Sequence, residues 1–378
     1  MRVAIVTDIM AHYRQGFYDR LFARQDIIAT VYCQPSLPGK NIRTIHTRYP
    51  GRVKPVTALS PKSEVIAWQF TPWRALLFGY DVVFVDGNPR IVSHALLATL
   101  LRVFRRNVVL WTMAHSYRAN RFREGIRLRW TRMFPHILVY TEAEIRYLRQ
   151  RGFAKQAISA INNGLDQSTI DNMIGEWSPP QLEEWRRARK LEGRTILLSC
   201  ARLDPKNRFE QVVAALPAIV RCIPDLTWCL IGGGTEAARL QSLVRQAGLD
   251  ENVRFLGEIH DERELAPWFL SAAVLVHPAA VGLSLLHAFG YGLPVVTHGN
   301  AERHGPEFAA FQENRSGRVF REDDTSSLAS ALIELLRDPA LGSMRQYVQG
   351  VVRTEYNADV MVQRFAAIAK EAARAGRS

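Results

Sequence analysis

Residues 195–206 read Thr195-Ile-Leu-Leu-Ser-Cys-Ala-Arg-Leu-Asp-Pro-Lys206. An aliphatic run that stops at a polar segment reads as a buried strand opening into a loop. The next residues, 208–220, space apolar side chains at helical intervals. Arg202 and Lys206 are therefore expected at the carboxyl end of a strand, just before a helix. Open α/β sheets bind ligands at such ends. Two cations beside a helix N-terminus suit an anion such as a diphosphate. On these two residues alone an equal alternative stays open, with Arg202 paired to a carboxylate and Lys206 solvated.

The pattern repeats on both sides. Thr227-Trp-Cys-Leu-Ile-Gly-Gly-Gly234 is a strand pattern ending in three glycines, followed by a helical pattern over 236–247. Val253-Arg-Phe-Leu-Gly257 and Leu275-Val-His-Pro278 are short strands. Val281-Gly-Leu-Ser-Leu-Leu-His-Ala-Phe-Gly-Tyr-Gly-Leu-Pro-Val-Val296 gives a glycine turn, a helix and a strand. The first half alternates in the same way, with strands at Arg2–Thr7, Ile27–Tyr32, Val82–Val85, Val108–Thr112, Ile137–Tyr140 and Ile158–Ile161. Such alternation implies parallel sheets covered on both faces. At 378 residues the chain is long enough for about two domains.

The order of these pieces resembles the C-terminal domain of the family 4 retaining glycosyltransferases. The family carries a Gly-Arg-Leu…Lys loop, an Ile-x-Gly-x-Gly turn, a Phe-Leu-Gly strand end, and Glu-Gly-Phe-Gly-Leu…Glu-Ala before Gly-x-Pro-Val. The resemblance implies the GT-B fold, an α/β architecture of two Rossmann-like parallel-sheet domains facing across a cleft, with a C-terminal helix crossing back to the first domain. The expected boundaries are 1–170 for an acceptor-binding domain, 171–194 for a polar linker, 195–354 for the nucleotide-sugar domain, and 355–378 for the returning helix. Asn163-Gly-Leu-Asp166 resembles the turn that closes the family's first domain.

Transfer of a sugar from a nucleotide diphosphate leaves two negative phosphates to stabilise. The sequence has no Asp-x-Asp to hold a metal for this task. The expected agents are Arg202, Lys206 and the backbone of Gly282, Leu283 and Ser284 at a helix entry. No metal or cofactor is expected, and the donor would be a UDP- or GDP-sugar. From the resemblance, Gly232 and Gly234 would approach the nucleotide, Gly257, Glu258 and Ile259 would line the base, and Gly16 would approach the phosphates from the first domain. His115, after a strand end, would touch the transferred sugar. For each glycine an ordinary turn is the competing reading, and for His115 a satisfied structural histidine.

One departure matters. Where the family has two glutamates, this chain has Ala279 and His287. His287 can still hydrogen-bond a ribose through a ring nitrogen. Ala279 cannot replace a carboxylate, and Glu307 in His304-Gly-Pro-Glu307 is the candidate substitute. The segment resembles a bacterial branch of the family with Val-Gly-Leu…His-Ala and His-Gly-Pro-Glu. The expected activity is retaining, metal-independent transfer to a saccharide or lipid-linked saccharide acceptor in surface polysaccharide assembly. A GT-B sugar-nucleotide 2-epimerase and a non-catalytic sugar-nucleotide-binding protein are the alternatives.

Composition bounds the rest. The formal net charge is +13. Six arginines at 118, 121, 123, 127, 129 and 132 alternate with apolar and aromatic residues. Such a segment suits an anionic membrane surface, with a solvated, partly self-paired helix face as the alternative. No nucleic-acid motif is present, and no nucleic-acid partner is expected. The four cysteines are scattered, which favours a reducing compartment. Residues 1–8 read as a strand and no segment is long and apolar enough to span a bilayer. A cytoplasmic protein is expected, attached peripherally to the inner face of the plasma membrane.

Overall fold

The computed structural model describes residues 1–37, 43–59, 67–88, 90–114 and 121–375. The chain divides into two compact units, Met1–Asp166 with Asn357–Ser378, and Gln167–Tyr356.

The first unit is built on seven parallel strands. They are β1 (Arg2–Ile9), β2 (Ile28–Gln34), β3 (Val53–Pro55), β6 (Val82–Asp86), β7 (Val108–Trp111), β8 (His136–Val139) and β9 (Ala157–Ala160), with β4 (Ala58–Leu59) and β5 (Trp68–Gln69) forming a separate antiparallel pair. The order is β3-β2-β1-β6-β7-β8-β9. Central strands such as Val82-Val-Phe-Val85 are buried along their whole length because helices cover both faces. One face packs Phe84, Val109 and Leu138 with Phe365 and other apolar residues of the C-terminal helix Ala358–Ala375. Phe365 stacks on Phe84 with ring centroids 4.1 Å apart. Arg20 ties this helix down by ion pairs to Asp359 and Asp166, each at 2.8 Å.

The second unit has six parallel strands, β10 (Thr195–Cys200), β11 (Leu226–Ile231), β12 (Val253–Gly257), β13 (Val274–Val276), β14 (Val295–His298) and β15 (Gly317–Phe320), in the order β12-β11-β10-β13-β14-β15. The chain leaves β10 in one direction and returns at β13 in the other, so the topological switch point lies between those two strands. Ser199 marks the middle of this seam: its hydroxyl donates to the Val276 carbonyl at 2.8 Å and accepts from Trp228 Nε1 at 3.0 Å.

The expected linker over 171–194 is instead largely helical. Helices Gln167–Gly175 and Pro179–Ala188 belong to the second unit. Ser178 and Gln181 form a capping box, with Pro179 in the first turn. Trp185 then packs edge-on against Trp268, centroids 4.7 Å apart. The polar composition reflects an exposed helix face, not an unstructured connection.

Candidate functional site

The loops after β10, β11, β13 and β14 gather at one edge of the second sheet, around its switch point. Arg202 and Lys206 stand on the first of them, as their sequence position implies. Both side chains are about two-thirds exposed and lean on Asp204, Arg202 Nε at 3.8 Å and Lys206 Nζ at 4.0 Å. These are long, solvated pairs worth little to stability. The two cations can therefore turn to a stronger anion at low cost. Asn207 holds the loop shape by donating to the Arg202 carbonyl at 2.6 Å.

The glycine turn after β11 braces this loop. Leu203 N–H donates to the Gly233 carbonyl at 2.7 Å, and Glu236 N–H to the Leu203 carbonyl at 2.8 Å. Gly232 and Gly234 have φ of 146° and 151°. A Cβ at Gly232 would run into the Ala201 carbonyl, and one at Gly234 into the Leu203 backbone. Both glycines are thus required by the close approach of two backbones, whatever ligand comes near. Glu258 lies over Gly233, where an added Cβ would sit 2.6 Å from its carboxylate. Glu258 and Ile259 follow Gly257, whose carbonyl accepts from Gly232 N–H at 2.8 Å.

Beyond β13, Gly282 opens the helix Leu283–Gly290. The first amides of any helix lack intrahelical acceptors, and its dipole favours an anion there. Three histidines fix this turn. His304 Nδ1 accepts from Val281 N–H at 3.0 Å, while its Nε2–H donates to the His298 carbonyl at 2.8 Å. His304 is thereby the neutral Nε2–H tautomer. Its ring stacks between His298 and Phe308, centroids 4.0 and 4.1 Å away. His277 Nδ1 donates to the Ala279 carbonyl at 3.1 Å. Burial pushes His277 and His298 down to about 4, so both are neutral at physiological pH. Glu307 is buried. Its carboxylate lies 3.6 Å from where a Cβ of Gly282 would be, and 2.6 Å from that of Gly305. Glu307 and the Gly282 turn are thus neighbours, and Gly305 leaves the room for the carboxylate.

His287 is not a lone hydrogen-bonding group. Its Nε2–H donates to Glu262 at 2.7 Å, and Tyr291 OH donates to the same oxygen at 2.6 Å. Burial pushes the Glu262 carboxyl up, but these two hydrogen bonds and the imidazole charge outweigh it and hold it below its ordinary value. Glu262 also stands close enough to the end of β10 to add to the burial that raises the Cys200 thiol to about 12. The sequence reading missed Glu262 and Tyr291. Tyr291 follows His287 by four residues, the spacing that puts side chains on one helix face. Glu262 carries no such signal, because its position after Asp261 reads as an ordinary acidic first turn.

In the first unit, Gly16 is buried, and a Cβ there would meet Asp166 Cβ at 2.8 Å. Its missing side chain makes room for Asp166, so an internal packing reason for Gly16 is present. His115 lies outside the described residues. Of the basic segment, Arg118 also lies outside them. Arg127 is not a free surface charge: it donates to the Met113 and Ala114 carbonyls at 2.7 and 2.6 Å. Arg132 donates to the Arg151 carbonyl at 2.5 Å and stacks on Phe153. These two arginines hold loop ends together, as the partly self-paired alternative has it for this part of the segment.

Residues 194–338 match the family described as Glycosyl transferases group 1. The chain is 29% identical over 187 residues to the phosphatidyl-myo-inositol mannosyltransferase of Mycobacterium leprae, covering 48% of this chain and 45% of that protein. It is 28% identical over 159 residues to the GDP-mannose-dependent alpha-(1-6)-phosphatidylinositol monomannoside mannosyltransferase of Mycolicibacterium smegmatis, covering 39% and 40%. The chain thus spans less than half the length of these curated relatives. Among solved structures, HepE of Anabaena in complex with UDP superposes with a TM-score of 0.72 at 16% identity, over 98% of this chain and 100% of that one. That likeness establishes the two-domain GT-B fold.

Proposed function

We propose, from the match of residues 194–338 to the family described as Glycosyl transferases group 1, that this protein transfers a sugar from a nucleotide-diphosphate sugar to a saccharide or lipid-linked acceptor. The observation that carries the proposal is the pair of loosely held cations, Arg202 and Lys206, at the switch point of the second sheet. A departing diphosphate needs donors already in place. These two side chains and the amides of Leu283 and Ser284 supply them without a metal. UDP- and GDP-sugars are the donor classes. Mannosyltransferase relatives support the GDP-mannose member of that set.

Retention of configuration follows if the acceptor hydroxyl attacks on the face from which the diphosphate leaves, so that a phosphate oxygen takes its proton. Ala279 offers no carboxylate to the transferred sugar. Glu307, buried beside Gly282, takes that part and stabilises positive charge developing at the anomeric carbon. Glu262, carrying His287 and Tyr291, takes the part of the second family glutamate and accepts from ribose hydroxyls.

Membrane contact forms a second part of the proposal. No helix of the described residues is long and apolar enough to cross a membrane. Phe78, Val103, Phe104, Ile126 and Met133 are exposed in the first unit. Arg106 lies over Phe78 at 6.0 Å, and Arg102 donates to the Met133 carbonyl at 3.0 Å. Exposed apolar side chains beside arginines suit an anionic lipid surface, and relatives named for phosphatidylinositol substrates support a lipid-linked acceptor. With such an acceptor the enzyme would work at the cytoplasmic face of a membrane, in polysaccharide or glycolipid synthesis.

The test is incubation with radiolabelled GDP-mannose or UDP-glucose and vesicles carrying phosphatidylinositol, with EDTA present. The expected result is label in the lipid fraction with the anomeric configuration retained. Release of nucleotide with sugar rearrangement and no acceptor would replace transfer by epimerisation.

A further inference from the structure

The turn that opens the helix Leu283–Gly290 is held by hydrogen bonds that run through imidazole nitrogens. Val281 N–H donates to His304 Nδ1 at 3.0 Å, and Gly305 N–H donates to the Val281 carbonyl at 2.8 Å. At the end of β14, Asn300 N–H donates to His298 Nδ1 at 3.2 Å. Both rings therefore accept a backbone amide at Nδ1, and both carry their proton on Nε2. They stack with centroids 4.0 Å apart and planes 18° apart, and His304 Nε2–H donates to the His298 carbonyl.

The same pair reaches the loop of Arg202 and Lys206. Asn300 Nδ2 donates to Glu322 at 2.9 Å, and Arg208 pairs with that carboxylate at 3.4 Å. Arg208 stands two residues after Lys206, in the left-handed region at a φ of 55°. A chain of contacts thus runs from Val281 through His304, His298, Asn300 and Glu322 to Arg208. Its two ends are the helix entry and the cationic loop, the two groups of donors that a diphosphate would need.

What each Nδ1 can do depends on one proton. A neutral imidazole accepts there, whereas an imidazolium carries N–H on both nitrogens. A proton on His304 sets N–H against the Val281 N–H, and a proton on His298 does the same to Asn300. The charged groups around the pair do not offset this. His277 on β13 is a third neutral imidazole, and Arg208 and Arg303 bring positive charge. The carboxylate facing the pair, Glu322, is already shared by Arg303 at 2.8 Å, by Arg208 and by Asn300. Glu307 stands at the turn itself, beside Gly282 and Gly305. Burial holds both rings below the ordinary imidazole value, so the accepting form prevails at neutral pH.

We propose that His304 is a positioning residue for diphosphate binding, and that the stacked pair His298–His304 is a proton-sensitive latch. Neutral, the two rings hold the Gly282 turn and the Arg202–Lys206 loop in one frame; protonated, they release it. The proposal rests on the diphosphate reading of these two loops.

The experiment compares the full chain with His304→Asn and His304→Gln. Asparagine places an amide oxygen where Nδ1 stands and accepts from Val281 without titrating, whereas glutamine reaches toward the His298 carbonyl instead. Affinity for UDP and GDP is measured calorimetrically, and hydrogen exchange of a peptide spanning residues 279–286 is followed in the free protein. At pH 8, His304→Gln should bind at least about tenfold more weakly than the parent, as an unpaired buried amide implies. His304→Asn should regain most of that loss, and exchange at 279–286 should quicken in the glutamine variant alone. Both folded-state values are lowered, so the hold is complete at pH 8 and is lost as pH falls through them. Toward about pH 4.5 the parent should therefore lose about tenfold in affinity relative to His304→Asn at the same pH, a comparison in which the nucleotide's own titration cancels. That comparison carries the test if His304→Gln does not fold. Equal affinity in the two variants, or a parent whose affinity relative to His304→Asn stays flat or rises in acid, overturns the proposal. Quickened exchange in His304→Gln, with a parent that binds neither nucleotide, would instead overturn the diphosphate reading and leave the hold of His304 on the turn standing.

Discussion

Glu262 is the residue whose removal should reveal most about how the donor domain is held. Its carboxylate receives His287 Nε2–H at 2.7 Å and Tyr291 OH at 2.6 Å on one oxygen. Glu262→Ala leaves both donors unpaired in a partly buried setting, where each costs about 1–3 kcal/mol. About a fifth of the His287 side chain and a quarter of that of Glu262 remain exposed, so water recovers part of the loss. The expected destabilisation of the second unit is therefore about 3 kcal/mol. Glu262→Gln keeps an acceptor oxygen and should recover about half of it, since neutral hydrogen bonds are roughly half as strong as charge-assisted ones. Equilibrium unfolding in urea at pH 7 measures both variants. The carboxyl is held below its ordinary value, so its contribution is complete above the unfolded-state carboxyl pKa and fades as pH falls through the folded one. The Glu262→Ala deficit should shrink over that acid range. A deficit under about 0.5 kcal/mol, the size of an ordinary surface substitution, would refute the structural part of this reasoning. A double-mutant cycle with Tyr291→Phe should show coupling, and simple additivity would count against a shared carboxylate.

Other outcomes follow from the same geometry. Gly234→Ala should destabilise by about 1–3 kcal/mol, because its Cβ meets the Leu203 backbone at a φ of 151°; an unchanged melting temperature would contradict that packing. His277 and His298 sit near 4 in the folded chain, so the unfolded state binds protons the folded one refuses. Stability should hold above about pH 6.5 and fall as pH drops from there toward 4. Urea midpoints across that range check the slope, and a flat profile would contradict it. Glu307→Gln should depress turnover more than donor affinity, whereas His287→Ala should weaken donor binding with turnover little changed. Steady-state kinetics on both variants separates the roles, and a silent Glu307→Gln would reduce Glu307 to a buried brace of the Gly282 turn.

The architecture was largely legible because buried parallel strands read as unbroken aliphatic runs that end at polar loops. Ile196-Leu-Leu-Ser199 and Leu226-Thr-Trp-Cys-Leu-Ile231 are buried along their whole length. What local sequence cannot state is which distant groups share a side chain. Glu262 meets His287 because two helices of the second unit approach, and no spacing announces it. The glycines show the opposite limit. Gly232 and Gly234 read as ligand-facing turns, yet backbone contact with 201–203 already requires them. His304 was legible only as a neighbour of Glu307; its stacking on His298 and its two paired nitrogens brace the turn. The segment 171–194 read as a linker on composition, although Ser178-Pro-Pro-Gln181 is a helix-start signal.

The central claim is that Arg202 and Lys206 hold the diphosphate of a nucleotide-sugar donor without a metal. Calorimetric titration with UDP and GDP in EDTA tests it most directly, on the parent protein, Arg202→Ala and Lys206→Ala. Both side chains are largely exposed, so neither variant should unfold. The parent should bind at least one of the two nucleotides. Each variant should bind it at least about tenfold more weakly, the effect of losing one charged contact to phosphate. Full affinity in both variants, or binding that appears only when magnesium or manganese replaces EDTA, would contradict the account.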